Sequence, residues 1–237
     1  MKDPDYIRTE VAADAAAMCR AVLDARPRCQ IGQITGKTAL TEYLATELTA
    51  IRIEVWAGIN NRDLLRILVD AANTQGLMID PAGTANAMLG RLMAALTGRL
   101  VIVDEANHLS WKQLEILRGL SDLGRCGLIL VGTDILARNI SGDSTYLAQL
   151  RRRIGAKRVE LGAMKSDEEV LAYCIQPRFG SVSRKTVQAF RKATGGVWGF
   201  ALELGNACER LLAAEGIEKL DETVVQTAAA WMAGAGK

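Results

Sequence analysis

The chain has 237 residues, nearly half of them apolar, with 29 basic and 27 acidic side chains and a net charge of only +2. That length and apolar content build a sizeable core and exclude a disordered chain; the near-neutral balance means that any nucleic-acid surface must be local. Five cysteines without a Cys-x-x-Cys pair and a single histidine argue against a structural zinc site, and with no signal peptide or membrane-length apolar run they lead us to expect a cytosolic (cytoplasmic) protein.

Val11, Ala15, Met18, Val22 and Leu23 recur at helical spacing and predict a helix over about 5–25, ended by Pro27. A short apolar run at Cys29 and Ile31 leads into Ile-Gly-Gln-Ile-Thr-Gly-Lys-Thr, residues 31–38, and then into a helical pattern over 37–49. Strand, tight loop and helix in that order is the context a phosphate-binding loop requires, because backbone N–H groups and the helix N-terminus present positive partial charge to a polyphosphate. Lys37 would reach the β- and γ-phosphates and the Thr38 hydroxyl would ligate Mg²⁺. The pattern is imperfect: Gly-x4-Gly-Lys-Thr places its first glycine at position 31, where the chain has Ile31, and Gly32 comes one residue late.

Residues 51–56 alternate as a strand, a polar turn follows at 58–61, and Asn61 is placed to cap a helix over 62–73. A loop at 76–83 and a helix over 84–97 lead to Leu-Val-Ile-Val-Asp at 100–104, an apolar run without alternation, as in a strand buried on both faces. It ends in Asp104-Glu105. The first acid can hold Mg²⁺, directly or through water, and the second orient the water that attacks a γ-phosphate; the blander alternative is that both cap the next helix. Ser110 is a candidate N-cap for a helix to Leu123, and a second continuous strand, 127–132, closes on Thr133-Asp134. A short helix (134–139), a turn (141–144), a helix running into Arg151-Arg152-Arg153 and a strand at 157–161 complete an alternating α/β pattern, which predicts a parallel sheet. Beyond it come four helical patterns, about 166–176, 183–194, 198–214 and 221–233, without strands between them. The expected division is an α/β nucleotide-binding domain over 1–162 and a small all-helical domain over 163–237.

The assembled order resembles the AAA+ family of oligomeric ATPases, and Val-Asp-Glu-Ala-Asn-His-Leu at 103–109 is similar to the Asp-Glu-Ala-Gln-His-Leu stretch of transposition ATPases, the target-selection proteins of the MuB and TniB type. The resemblance implies an AAA+ P-loop parallel sheet flanked by helices and followed by a helical lid. It implies ATP and Mg²⁺ as cofactors, with Gly32, Ile34, Thr35, Gly36, Lys37, Thr38 and Asp104 around the nucleotide and Thr38 and Asp104 at the metal. Glu105 would polarise the lytic water and Thr133 would sense the γ-phosphate. Arg153, with Arg152 as understudy, would reach the ATP of the neighbouring subunit, an interaction worth ~10³–10⁵ in rate. No arginine follows Gly195-Gly196, where the family's lids carry a second sensor, so hydrolysis is expected to be slow and stimulated by DNA or a partner.

The implied partners are double-stranded DNA, bound with little sequence preference, a transposase, and further copies of the chain in a ring or helical filament, with no membrane. Arg62, Arg66, Arg91 and Lys112 are the basic candidates for DNA, working by repeated phosphate neutralisation. Two other functions stay open: a degenerate-loop scaffold that binds nucleotide structurally, and a helicase-loader type of ATPase. Trp198 and Phe200 are expected in the lid core and Ile7 and Ile175 near an adenine pocket; His108 is expected to be partly buried and hydrogen-bonded, the alternative that the resemblance implies being a role in subunit contacts or in coupling to DNA.

Overall fold

Residues 10–25, 30–35, 38–142 and 145–234 are described in the computed structural model, which divides into two compact units, one spanning Glu10–Leu161 and one beginning at Gly162. In the first unit the elements are α1 (Glu10–Leu23), β1 (Ile31–Thr35), α2 (Thr38–Glu47), β2 (Ile51–Glu54), α3 (Asn61–Thr74), α4 (Ala85–Ala95), β3 (Leu100–Asp104), α5 (Trp111–Gly124), β4 (Gly127–Gly132), α6 (Asp134–Ser141), α7 (Ala148–Ile154) and β5 (Arg158–Glu160). The strands form one parallel sheet in the order β2-β3-β4-β1-β5. β3 and β4 are buried along their whole length, as unbroken apolar strands covered on both faces must be. On one face, Ile53, Val103 and Leu130 pack with Leu68, Leu92, Leu117 and Ile154 from the helices. On the other, α1 lies against β1, β4 and β5, and α2 against β2 and β3.

Gly32 belongs to this packing. A Cβ there would lie 3.0 Å from Ile129, 3.2 Å from Val22 and 3.3 Å from Met18, so its bareness lets α1 approach the sheet. Gly32→Ala should therefore lower stability by about 1 kcal/mol, read as a reduced urea midpoint at unchanged slope.

Ser110 caps α5 in a full capping box with Gln113, as its position in the sequence predicts. The cap of α3 is Asn60 and not Asn61: the Asn60 side chain accepts the Asp63 N–H, and Asn61 is already the first helical residue.

The second unit holds α8 (Asp167–Val170), a π-helical turn (Leu171–Ile175), α9 (Gln176–Phe179), α10 (Arg184–Thr194), α11 (Trp198–Glu215) and α12 (Glu222–Gly234) around Ile175, Phe190, Leu204 and Val225. The single helix expected over 166–176 is thus interrupted and runs on to Phe179. Pro177 supplies the reason: it lacks the N–H that an unbroken helix needs, and a wider turn ahead of it absorbs the mismatch. Trp198 packs against this core and its Nε1 donates to the Gly162 carbonyl at 3.0 Å. Phe200 does not: it is exposed, because α11 buries the face carrying Ala201, Leu204, Cys208 and Leu211. Ile175 is buried in this core, whereas Ile7 lies outside the described residues.

Cys19, Cys126, Cys174 and Cys208 are buried, and burial pushes the thiols of Cys19 and Cys126 up to about 12 and that of Cys208 to about 11. Among the described residues no helix is long and apolar enough to cross a membrane.

Candidate functional site

Parallel pairing brings the carboxyl ends of four strands level. Thr35 sits beside Gly132 and Glu54 beside Asp104, so the segments leaving β1, β3 and β4 emerge along one edge of the sheet. The acids, Thr133 and the start of α2 are gathered there.

Asp104 is 1% exposed and heavily engaged. Its Oδ2 accepts from Thr41 Oγ1 on α2 at 2.7 Å and from Arg52 Nη2 on β2 at 2.8 Å; its Oδ1 accepts the Glu105 N–H at 2.9 Å. Arg52 also donates from Nε to Thr41 Oγ1 at 3.0 Å and from Nη2 to Glu54 at 3.3 Å. The carboxylate is therefore the centre of a clamp joining α2, β2 and β3, with its charge balanced by a guanidinium. As a direct magnesium ligand Asp104 does not fit: Oδ2 already holds two donors, one of them cationic.

Glu105 behaves differently. It is only half-buried and takes a left-handed backbone, φ 55° and ψ 29°, which costs a non-glycine residue about 1 kcal/mol. Its Oε2 accepts from Asn107 Nδ2 at 3.4 Å, while Asn107 Oδ1 accepts the Thr133 N–H at 3.1 Å. Asn107 thus spans the glutamate and the residue after β4. Gly132 makes room for it, since a Cβ there would lie 2.7 Å from Asn107 Oδ1. Thr133 Oγ1 accepts the Ile135 N–H as the cap of α6, which leaves the hydroxyl proton for another acceptor. His108 is exposed, with Nε2 3.8 Å from Glu105 Oε2, so the partly buried position expected for it is not found.

The phosphate loop departs from its sequence reading. β1 continues to Thr35 and α2 begins at Thr38, leaving two residues between them. Gly36 and Lys37 lie outside the described residues, as does the Thr38 side chain. Gly32, Ile34 and Thr35 were expected to cradle phosphate, but they are strand residues. β1 is paired with β4 on one side and β5 on the other, and Ile34 is fully buried, so their backbone groups serve the sheet.

The arginine cluster divides. Arg153 pairs with Asp122 on α5, Nε to Oδ1 at 3.1 Å, and Asp122 also holds Arg118 at 2.6 Å. Arg151 donates to the Ser141 and Gly142 carbonyls. Arg152 is exposed, and its side chain makes no hydrogen bond or ion pair with another described residue. The residue reserved as understudy is the one that faces outward.

Of the basic residues singled out for DNA, Arg66 is paired with Asp70 on its own helix and Arg91 is tied to Asp80 and the Ala82 carbonyl. Arg62 is exposed and, with Asn60, Asn61, His108, Ser110 and Gln113, lines an open cleft of about 610 Å³ at the carboxyl ends of β2 and β3. Lys112 lies 5.6 Å over the Trp111 ring, and Trp111 stacks on the exposed Tyr146. Sequence reasoning missed Arg52, Thr41 and Asn107. Asn107 was within reach, because it lies inside the Asp-Glu motif.

The sheet order and the layout of acids and polar residues along one edge define an AAA+ fold, and the AAA domain family matches residues 34–140. The ORC2 protein of Aeropyrum pernix, solved in ADPNP–ADP complexes, superposes with a TM-score of 0.66 at 19% identity over 94% of this chain and 67% of its own. A Walker-type ATPase of Pyrococcus abyssi gives 0.65 at 16% identity over 93% and 71%, and the RuvB protein of Thermotoga maritima 0.55 at 17% over 91% and 66%. In sequence the chain is similar to the DNA transposition protein B of the Mu-like prophage FluMu of Haemophilus influenzae, 28% identical over 167 residues. That match takes in 68% of this chain and 58% of the relative's length. The chain has the AAA+ fold and is similar in part of its length to a Mu-type transposition protein B.

Proposed function

We propose that this chain is an ATPase of the target-selection type, which assembles on duplex DNA with ATP bound between neighbouring copies and delivers that DNA to a transposase in the bacterial cytoplasm. The observation that carries the reading is the Glu105–Asn107–Thr133 chain at the carboxyl edge of the sheet, beside the start of α2. Lys37 and the N-terminus of α2 would hold the phosphates. A water attacking the γ-phosphorus would pass its proton to Glu105 as the bond to the β–γ bridging oxygen breaks and ADP leaves. The free hydroxyl proton of Thr133 is available to a γ-phosphate oxygen. Arg152 of a neighbouring copy would complete the charge compensation.

DNA contact would come from Arg62 and Lys112, repeated by each copy along the duplex, so affinity would fall steeply with salt and hardly depend on sequence. The similarity to transposition protein B supports transposition as the setting and a transposase as the partner. Lys37→Ala is expected to abolish ATP-dependent assembly on DNA, measured by sedimentation or electron microscopy with ATP and with ADP. Assembly of that variant with unchanged ATP dependence would refute the loop assignment.

A second reading, a scaffold that holds nucleotide without turning it over, has one observation behind it: the strand that runs to Thr35 leaves little backbone for a phosphate cradle. Phosphate release by the DNA-bound wild type decides between them, since the scaffold releases none.

A further inference from the structure

We infer that Arg52 occupies the place at Asp104 that a divalent cation would need, so that this buried carboxylate carries a guanidinium in the working protein and no metal ion. Three contacts hold Arg52 there: Nη2 to Asp104 Oδ2 at 2.8 Å, Nε to Thr41 Oγ1 at 3.0 Å and Nη2 to Glu54 Oε2 at 3.3 Å. The Thr41 hydroxyl is fixed in turn, because it accepts from Arg52 and donates to Asp104. Any movement of the guanidinium towards Glu54 would break the Nε bond and strip Asp104 of its counter-charge in a site where the carboxylate side chain is 2% exposed.

A magnesium ion sits only about 2.1 Å from its oxygen ligands, so on Asp104 Oδ2 it would lie within roughly 5 Å of a fixed positive charge, in partly dry surroundings. Magnesium also demands near-octahedral freedom around it, whereas Oδ2 already accepts two bonds and Oδ1 takes the Glu105 N–H. The arrangement has a second consequence. Glu54 and Asp104 are register partners on adjacent strands, and Arg52 is the cation between them. Take the arginine away, and two carboxylates and a hydroxyl are left facing one another, a donor set suited to a hard divalent ion.

The test uses Mn²⁺ alone, without nucleotide, so its outcome is independent of whether the chain binds or hydrolyses ATP. Binding is followed on the full chain by the paramagnetic resonance signal of free Mn²⁺. The wild type and Asp104→Asn are expected to give the same Mn²⁺ isotherm. Arg52→Gln is expected to bind Mn²⁺ at least about tenfold more tightly, and the gain should vanish when Asp104→Asn is added to it. An Arg52→Gln protein that keeps its circular dichroism spectrum but gains no Mn²⁺ affinity would overturn the inference. If that variant does not fold, the decision rests on the first pair: a tenfold loss of Mn²⁺ affinity from wild type to Asp104→Asn would overturn the inference, and identical isotherms would uphold it.

Discussion

Asp104→Ala should destabilise the protein by about 3 kcal/mol, a far larger effect than deletion of a surface metal ligand would have. The reason lies in what the substitution leaves behind. Arg52 loses its 2.8 Å partner, and the buried Thr41 hydroxyl loses its 2.7 Å bond to that carboxylate. Breaking a buried ion pair from one side costs about 3–5 kcal/mol, because the remaining charge is uncompensated. The low end applies here, since the Arg52 side chain is 20% exposed and keeps Glu54. Asp104→Asn should cost clearly less, because the amide oxygen can still accept from Thr41 and Arg52. Urea unfolding of the three proteins gives the comparison. Equal stabilities for wild type and Asp104→Ala would mean that the clamp contributes nothing to the fold and that the carboxylate is free for other work.

The sheet was legible in the sequence because its strands are buried on both faces. Leu100–Asp104 and Gly127–Gly132 are apolar without alternation, and that pattern depends only on their own residues. The same holds for Ser110, whose capping partner is three residues away. Features that depend on distant partners were not legible. Ile34 and Thr35 read as loop because they precede Gly-Lys-Thr, yet Thr35 is drawn into the sheet by Gly132 and Glu160 on the flanking strands. Gly32 looks like a displaced loop glycine until α1 is seen lying across it. Arg52 is an ordinary polar position in an alternating strand, and only the level ends of β2 and β3 bring it to Asp104. In the candidate site the motif acids and Thr133 were found from sequence, whereas the residues that hold them, Thr41, Arg52 and Asn107, were not.

The three consecutive arginines of α7 are the sharpest instance, because the resemblance ranks Arg153 first and its ion pair with Asp122, 31 residues away, is not visible in the sequence. Arg152→Ala should lower ATP hydrolysis by ~10³–10⁵ while leaving stability and nucleotide binding as they are, since the side chain is exposed and makes no hydrogen bond or ion pair with another described residue. Arg153→Ala should do the reverse. Its guanidinium bridges to Asp122, so its loss should cost about 1 kcal/mol of stability and alter hydrolysis only as far as the fold loosens. An arginine acting across a subunit boundary also has a signature in mixtures. Arg152→Ala subunits retain Lys37, and Lys37→Ala subunits retain Arg152, so each mutant is inactive alone. A mixture forms interfaces with an intact loop on one side and an intact arginine on the other, and hydrolysis should return at those interfaces. Full activity of Arg152→Ala alone, or a mixture as inactive as its components, would show that this arginine does not act on a neighbour's nucleotide.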